Sequence, residues 1–191
     1  LHFSRGNVLR DAARFDEAIA SYDRAIALQP GFDEAYRNRG IVKLLCGDFA
    51  GGWPDYEHRR PRQSAGMPGL ADIPEWRGED IAGKHLLVSD ASGLGDTIHF
   101  CRYLPLLVAR GARVSFLGHA RLHRLLQPLA AQVQLLSDRP PEASFDRHCK
   151  LLSLPHLFGT DLATIPSGIP YLFAEPEAIA HWAARIGRQG F

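Results

Sequence analysis

The sequence has little cysteine and almost no methionine: three Cys and one Met in 191 residues. Cys46, Cys101 and Cys149 are odd in number and far apart, which excludes a disulfide framework and a cysteine-based zinc site. Cys46 and Cys101 lie in apolar helical runs and read as small core residues of a chain kept in a reducing, cytoplasmic compartment. No apolar run approaches the roughly 20 residues that span a bilayer, so no membrane span is expected. No signal peptide is visible in the first stretch, which Arg5, Arg10 and Asp11 interrupt. The chain opens on Leu1, which leaves room for an upstream segment. Neither sign of charge dominates: Lys plus Arg is 22, Asp plus Glu is 21, and the net charge is +1. Split near residue 63, the halves carry 10 basic against 9 acidic groups and 12 against 12. Neither half has the basic excess of a phosphate-tracking protein, so nucleic acid is not an expected partner. What is there is an ordinary folded composition, enough for one domain or two small ones.

The first sixty residues repeat. Gly6 and Gly40, Val8 and Val42, Phe15 and Phe49, and Tyr22 and Tyr56 are each 34 positions apart. Small residues (Gly6, Ala18, Ala25, Gly40) allow close helix approach, aromatics fill the space between hairpins, and Pro30-Gly31 makes a turn. Asp16 and Glu17 suit a helix N-terminus. Helices are predicted near 2–13, 16–28, 33–46 and 49–60. The period and the residues Gly6, Phe15, Ala18, Tyr22, Ala25 and Pro30, then Tyr36, Gly40, Phe49 and Tyr56, resemble the tetratricopeptide repeat. The second unit departs from it. Gly51, Gly52 and Pro54 occupy its last helix, and Arg59 stands where Ala25 stood, so that helix is short, bent or adapted to cap the array against the next domain. About three repeats normally bury a continuous solenoid core, so two lean on a neighbour or end a longer array. Asn7, Arg10, Arg37 and Ile41 then line a groove for a protein or peptide, or the unit is a spacer.

Residues 61–75 read as a linker: Pro61, Pro68 and Pro74 with Gly66 and Gly69, and no apolar periodicity. Gly78, Gly83 and Lys84 have P-loop spacing, but His85 replaces the required Ser or Thr and the strand comes after the motif instead of before it. That excludes a P-loop.

From Trp76 the pattern alternates strand and helix. Strands are predicted at His85–Asp90, Arg113–Gly118, Val133–Leu136 and Ser144–Leu151. Helices are predicted at Thr97–Arg110, interrupted by Pro105, at Arg121–Leu129, at Leu152–Gly159 and at Glu177–Ile186, with an extended Ile169–Phe173. Such alternation implies a parallel sheet, whose ligands bind beyond the carboxyl ends of its strands. The fold class is therefore α + α/β: helical hairpins (1–60), a linker (61–75) and one Rossmann-like domain (76–191).

The loop Ser92-Gly93-Leu94-Gly95-Asp96-Thr97 sits at such a carboxyl end. Its glycines permit positive φ and close approach of a ligand, and the helix start offers free N–H groups to an anion. Ile98 stands where a dinucleotide fingerprint needs its third glycine, so a nicotinamide or flavin cofactor is not expected. Asp96 serves either as a helix cap or as a general base that takes a proton from a substrate hydroxyl. His99, one turn into the helix, either contacts a substrate or packs.

The run Gly93-Leu94-Gly95-Asp96-Thr97-Ile98-His99-Phe100, then Arg102-Tyr103-Leu104-Pro105-Leu106, resembles the opening of the heptosyltransferase-like glycosyltransferases, in the subgroup fused to tetratricopeptide repeats. Trp76-x-Gly78, Gly83-Lys84, Asp146-x-His148 and Pro170-Tyr171-Leu172 resemble it too. The resemblance implies a GT-B fold of two Rossmann-like domains, with Asp96 as catalytic base and Gly93, Gly95 and Thr97 shaping the loop against sugar or phosphate. It implies a nucleotide-sugar donor and no metal or other cofactor. Asp90-Ala91-Ser92 departs from the subgroup, which often carries Glu and Gln before the glycines. Residues 76–191 have room for one of the two domains. The chain then reads as truncated or degenerate, and inactive alone for want of a donor-binding domain. The alternative is a non-catalytic interaction scaffold with a structural α/β domain. His119 and His123 have metal-ligand spacing but no third ligand, and read as solvated surface residues.

Overall fold

A computed structural model describes residues 1–59, 72–90, 92–138 and 144–187. Most of the proposed linker, including Pro61, Gly66, Pro68 and Gly69, lies outside them, as does Ala91.

Four helices open the chain: α1 (His2–Asp11), α2 (Phe15–Leu28), α3 (Asp33–Leu45) and α4 (Phe49–Tyr56), the last running on into a 3₁₀ turn, Glu57–Arg59. Each packs on the next. The equivalent glycines do equivalent work. A Cβ on Gly6 would lie 2.6 Å from the ring of Tyr22, and a Cβ on Gly40 would lie 2.7 Å from the backbone nitrogen of Tyr56. The two repeats therefore share both the glycine and the aromatic position that it meets, 34 residues on. Asn7 ties them together. Its Oδ1 accepts from the Tyr22 hydroxyl (2.8 Å) and from Asn38 Nδ2 (2.9 Å). Asp48 caps α4 by accepting from Gly51 N–H (2.9 Å), as a short side chain at this position should. Ala18, Tyr22, Ala35 and Val42 are fully buried.

Helix α4 is shorter than its counterpart α2, as its glycines and Pro54 foretell. Cys46 corrects an expectation. It is exposed, because it comes just after the last helical residue of α3 and leads into Gly47 at φ +83°, where the chain turns away from the core. Cys101 is buried as expected.

The second part holds four strands, β1 (His85–Ser89), β2 (Arg113–Leu117), β3 (Val133–Leu136) and β4 (Arg147–Lys150), in spatial order β3-β2-β1-β4. All three pairings are parallel. β1 is buried along its whole length, which matches its unbroken apolar run and its central place. The predicted helix 97–110 is instead three pieces: α5 (Leu94–Phe100), a 3₁₀ turn (Cys101–Tyr103) and α6 (Leu104–Ala109). Pro105 has no N–H to give to the preceding turn, so the α ladder restarts there. The predicted helix 121–129 is likewise α7 (His123–Leu126) between two 3₁₀ turns. α8 (Leu154–Leu157) comes after β4, and α9 (Pro176–Ile186) comes last. Ile169–Phe173 forms no strand. Leu86, Val88, Phe116, Leu104, Leu107 and Leu126 build the main core on one face of the sheet, with Trp76 and Ile81 closing it. Ile73, Leu87, Leu136 and Phe145 make a smaller cluster. The end of the predicted linker runs beside β4: His148 N–H donates to Pro74 O, and Trp76 N–H to His148 O (2.9 and 2.8 Å).

Among the described residues no helix is long and apolar enough to cross a membrane.

Candidate functional site: the carboxyl end of the parallel sheet

The chain runs β1, β2, β3 to one side of the sheet and then returns to lay β4 on the other side of β1. The strand order reverses beside β1, and in open parallel sheets ligands bind outside the carboxyl ends of the strands at such a reversal. The glycine loop after β1 and the turn Leu151–Ser153 after β4 flank that position.

Asp90 organises the loop. It is buried at the end of β1, its N–H donates to Leu117 O (2.9 Å), and its carboxylate accepts from Ser92 N–H (2.8 Å), the Ser92 hydroxyl and the Thr97 hydroxyl. A buried carboxylate needs such donors to offset its lost hydration. Thr97 is itself fully buried, so it shapes the loop from within and presents nothing to a ligand. His119, at the end of β2, reaches Ser92 O through Nε2 (2.6 Å). It is half-buried and pins the loop, which corrects its reading as a solvated surface residue. The departure Asp90-x-Ser92 is thus an internally satisfied loop.

Asp96 is exposed. The N-cap of α5 is Gly93, and no side chain caps this helix. The capping reading of Asp96 is therefore overturned: it is the third helical residue, and its carboxylate folds back toward Gly93, whose built Cβ would lie 3.7 Å from Oδ2. Neither loop glycine uses positive φ, contrary to expectation: Gly93 has φ −73° and Gly95 is likewise outside the left-handed region. What they contribute is a bare backbone. A Cβ on Gly95 would meet nothing within 4 Å, so the loop is open to a ligand at that point. His99 is exposed, stacked edge-on against Phe100. Partial burial and the nearby Arg102 charge hold its pKa below the ordinary value, against the pull of Asp96. Among the described residues no group of three His, Cys, Asp or Glu is placed to hold a metal.

The repeat helices are joined to the segment that follows β4. Arg59 is 4% exposed. Its Nη2 donates to Ser153 Oγ (2.9 Å), and its Nη1 to Glu57 Oε1 (2.6 Å) and Tyr56 O (3.1 Å). Ser153 Oγ in turn donates to Glu57 Oε2 (2.8 Å). Trp53 Nε1 donates to Thr160 O (2.8 Å), and Tyr103 O–H to Thr160 Oγ1 (3.0 Å). Arg59 was legible only as the residue that breaks the repeat pattern.

Of the groove residues, Asn7 is spent between the repeats. Arg10 pairs with Asp11 (2.8 Å), Arg37 donates to Asn38 Oδ1 (3.2 Å), and Ile41 is half-buried. A separate groove of about 690 Å³ lies between α9 and residues 121–125 and contains none of the loop residues.

Fold and site together define a helical repeat module joined to a parallel α/β domain with an open loop at its switch point. Residues 6–45 match the family model described as TPR repeat. The chain is also similar to Protein FlbA of Caulobacter vibrioides (strain ATCC 19089 / CIP 103742 / CB 15), with 25% identity over 248 aligned residues covering 97% of this chain. The chain spans about 40% of that relative's length.

Proposed function

We propose that this chain is the repeat-bearing, acceptor-side part of a glycosyltransferase that moves a sugar from a nucleotide-sugar to an acceptor hydroxyl. The domain division that goes with this reading is repeats over 1–60, a linker over 61–75 and a Rossmann-like unit over 76–191. The observation that carries it is the exposed Asp96 carboxylate just beyond the carboxyl end of β1, on a loop whose glycine backbone is open and whose polar groups are already satisfied inside. A carboxylate so placed can accept the proton of a hydroxyl nucleophile as the bond to the anomeric carbon forms. Gly93 and Gly95 let the acceptor approach the backbone, His99 stands one turn further along α5, and Thr97 holds the loop's shape. The nucleotide-sugar diphosphate is held by residues outside this chain. The repeats bind a protein or peptide through the surface that carries Arg10, Arg37 and Ile41, with Asn7 bracing it from behind.

The test is a thermal-shift titration with nucleotide-sugars on this chain and on a longer form matching the full span of the FlbA relative. A stabilising shift in the longer form, absent here, is expected. No shift in either favours the scaffold reading, in which the repeats alone carry the function.

A further inference from the structure

Residues 161–173 begin beside a residue that the repeats hold and end on α5, the helix that carries Asp96 and His99. We propose that this segment is a strap that couples the repeat module to α5, with Arg102 and Tyr171 as positioning residues that latch it there. The inference rests on the glycosyltransferase reading only in naming Asp96 as what the strap regulates.

The strap has a root, a latch and little else. Its root is Thr160, 3% exposed. Trp53 of α4 donates to the Thr160 carbonyl and Tyr103 to its hydroxyl, so the repeats and the turn that follows α5 grip one residue. None of residues 161–173 is buried, and Leu162 and Ile169 are 75% and 80% exposed. The bonds among Asp161, Ala163, Thr164 and Ile165 stay within the strap. Among the described residues, its hydrogen bonds to the rest of the chain all run through the latch. Arg102 Nη2 donates to the Tyr171 hydroxyl (2.9 Å) and Nη1 to Pro166 O (3.4 Å), while Nε donates to His99 O (2.8 Å). The Tyr171 hydroxyl, accepting from Arg102, donates in turn to Ile98 O (3.1 Å). The guanidinium also lies 4.4 Å from the Tyr171 ring centroid, a cation–π contact. One arginine and one phenol thus tie the strap to two carbonyls in the last turn of α5, where a helix runs out of its own donors. The start of the same helix is tied separately, by Thr97 to Asp90. A segment with so few buried contacts opens more readily than the buried sheet. Lifting it takes Tyr171 from Ile98 O, so the end of α5 loosens while its start stays fixed, and Asp96 and His99 move with it. A loosened root does the same from the repeat side. The open and the latched strap are the two arrangements that such coupling requires.

The experiment is peptide-resolved amide hydrogen exchange on the whole chain. Tyr171→Phe keeps the ring and removes the hydroxyl. It should speed exchange about tenfold over 161–173 and over 97–103, with β1, β2 and the repeats at native rates. Arg102→Lys keeps the charge, loses the fork and should give the same pattern. Trp53→Phe keeps an aromatic ring beside Phe49 and Tyr56 and loses the bond to Thr160. It should speed the same two stretches, although Trp53 bonds to neither. The double variant Trp53→Phe, Tyr171→Phe should exchange over 97–103 no faster than Tyr171→Phe alone, because a cut latch transmits nothing. Native rates at 97–103 in Tyr171→Phe overturn the proposal. So does a full added effect of Trp53→Phe in the double variant, which would route the coupling through the turn Leu151–Ser153 that also touches α5. Equal speeding of β1 and β2 overturns it too, since the strap would then open only with the whole fold. Exchange does not read sugar transfer, so the strap and the catalytic reading of Asp96 fail separately.

Discussion

Replacing Arg59 with methionine keeps most of the side chain's apolar stem and removes the fork that joins the two modules. The loss can be worked from the geometry. Three charge-assisted or polar bonds go: to Glu57 (2.6 Å), Ser153 (2.9 Å) and Tyr56 O (3.1 Å). An exposed pair of this kind would contribute at most about 1 kcal/mol. Here the two side chains are 4% and 16% exposed, and breaking a buried pair costs about 3–5 kcal/mol because one charge is left without its partner. Glu57 keeps its bond from Ser153, which places Arg59→Met near the lower end, about 3 kcal/mol. Changing Glu57 to Gln in that background removes the stranded charge, so the double variant should recover about 1–2 kcal/mol relative to the sum of the single losses. The assay is urea denaturation at neutral pH, monitored both by far-ultraviolet circular dichroism and by the ¹⁹F resonance of 5-fluorotryptophan at Trp53, whose indole is bonded to Thr160 across the junction. In Arg59→Met the Trp53 signal should move at lower urea than the dichroism, because the junction opens before the sheet melts. A loss below about 1 kcal/mol with coincident transitions would refute the reasoning, since it would make the network an ordinary surface pair.

Gly40→Ala should destabilise by about 1–2 kcal/mol in the same assay, since overpacking against the Tyr56 and Gly52 backbone exceeds the gain of about 1 kcal/mol in helix propensity. Gly95→Ala should be neutral or slightly stabilising, because its Cβ meets nothing, yet it should weaken ligand approach; equal binding with equal stability would show that the loop is not the site. Native protein should release one fast thiol to Ellman's reagent, Cys46, and all three only after unfolding. Cys101 is buried with its thiol pushed up to about 11, mainly by burial. Burial first, and the Arg113 charge second, hold the His85 pKa below its ordinary value of 6.5. The unfolded chain then binds a proton that the folded one refuses, so this group's contribution is complete above 6.5 and declines as pH falls from there toward the folded value. The urea midpoint should drop on mild acidification, and less so in His85→Gln.

The repeats were legible because a 34-residue offset preserves both partners of a contact, Gly6 with Tyr22 and Gly40 with Tyr56. The strands were legible because a buried parallel sheet writes apolar runs, and β3 fell at its predicted bounds. The fourth strand is shorter than predicted, Arg147–Lys150, since Leu151 and Leu152 carry buried apolar side chains on into the turn and do not mark where pairing ends. Cys46 misled because helical periodicity carries on past the residue where the helix itself stops. The loop glycines suggested left-handed backbone, whereas the chain exploits only their missing Cβ. Asp90 and Arg59 were hidden for one reason: each is a charged residue whose partners lie far away in sequence or across a turn. For such residues the sequence shows the anomaly, a carboxylate ending an apolar strand or an arginine in an alanine position, but not the contact that resolves it.

The claim that most needs trial is that Asp96 takes the acceptor proton. Sugar transfer should be timed in the longer protein with Asp96→Asn, a variant that keeps shape and removes only the base. Its rate should fall by about 10²–10⁴ with an unchanged melting temperature; transfer at the native rate would contradict it.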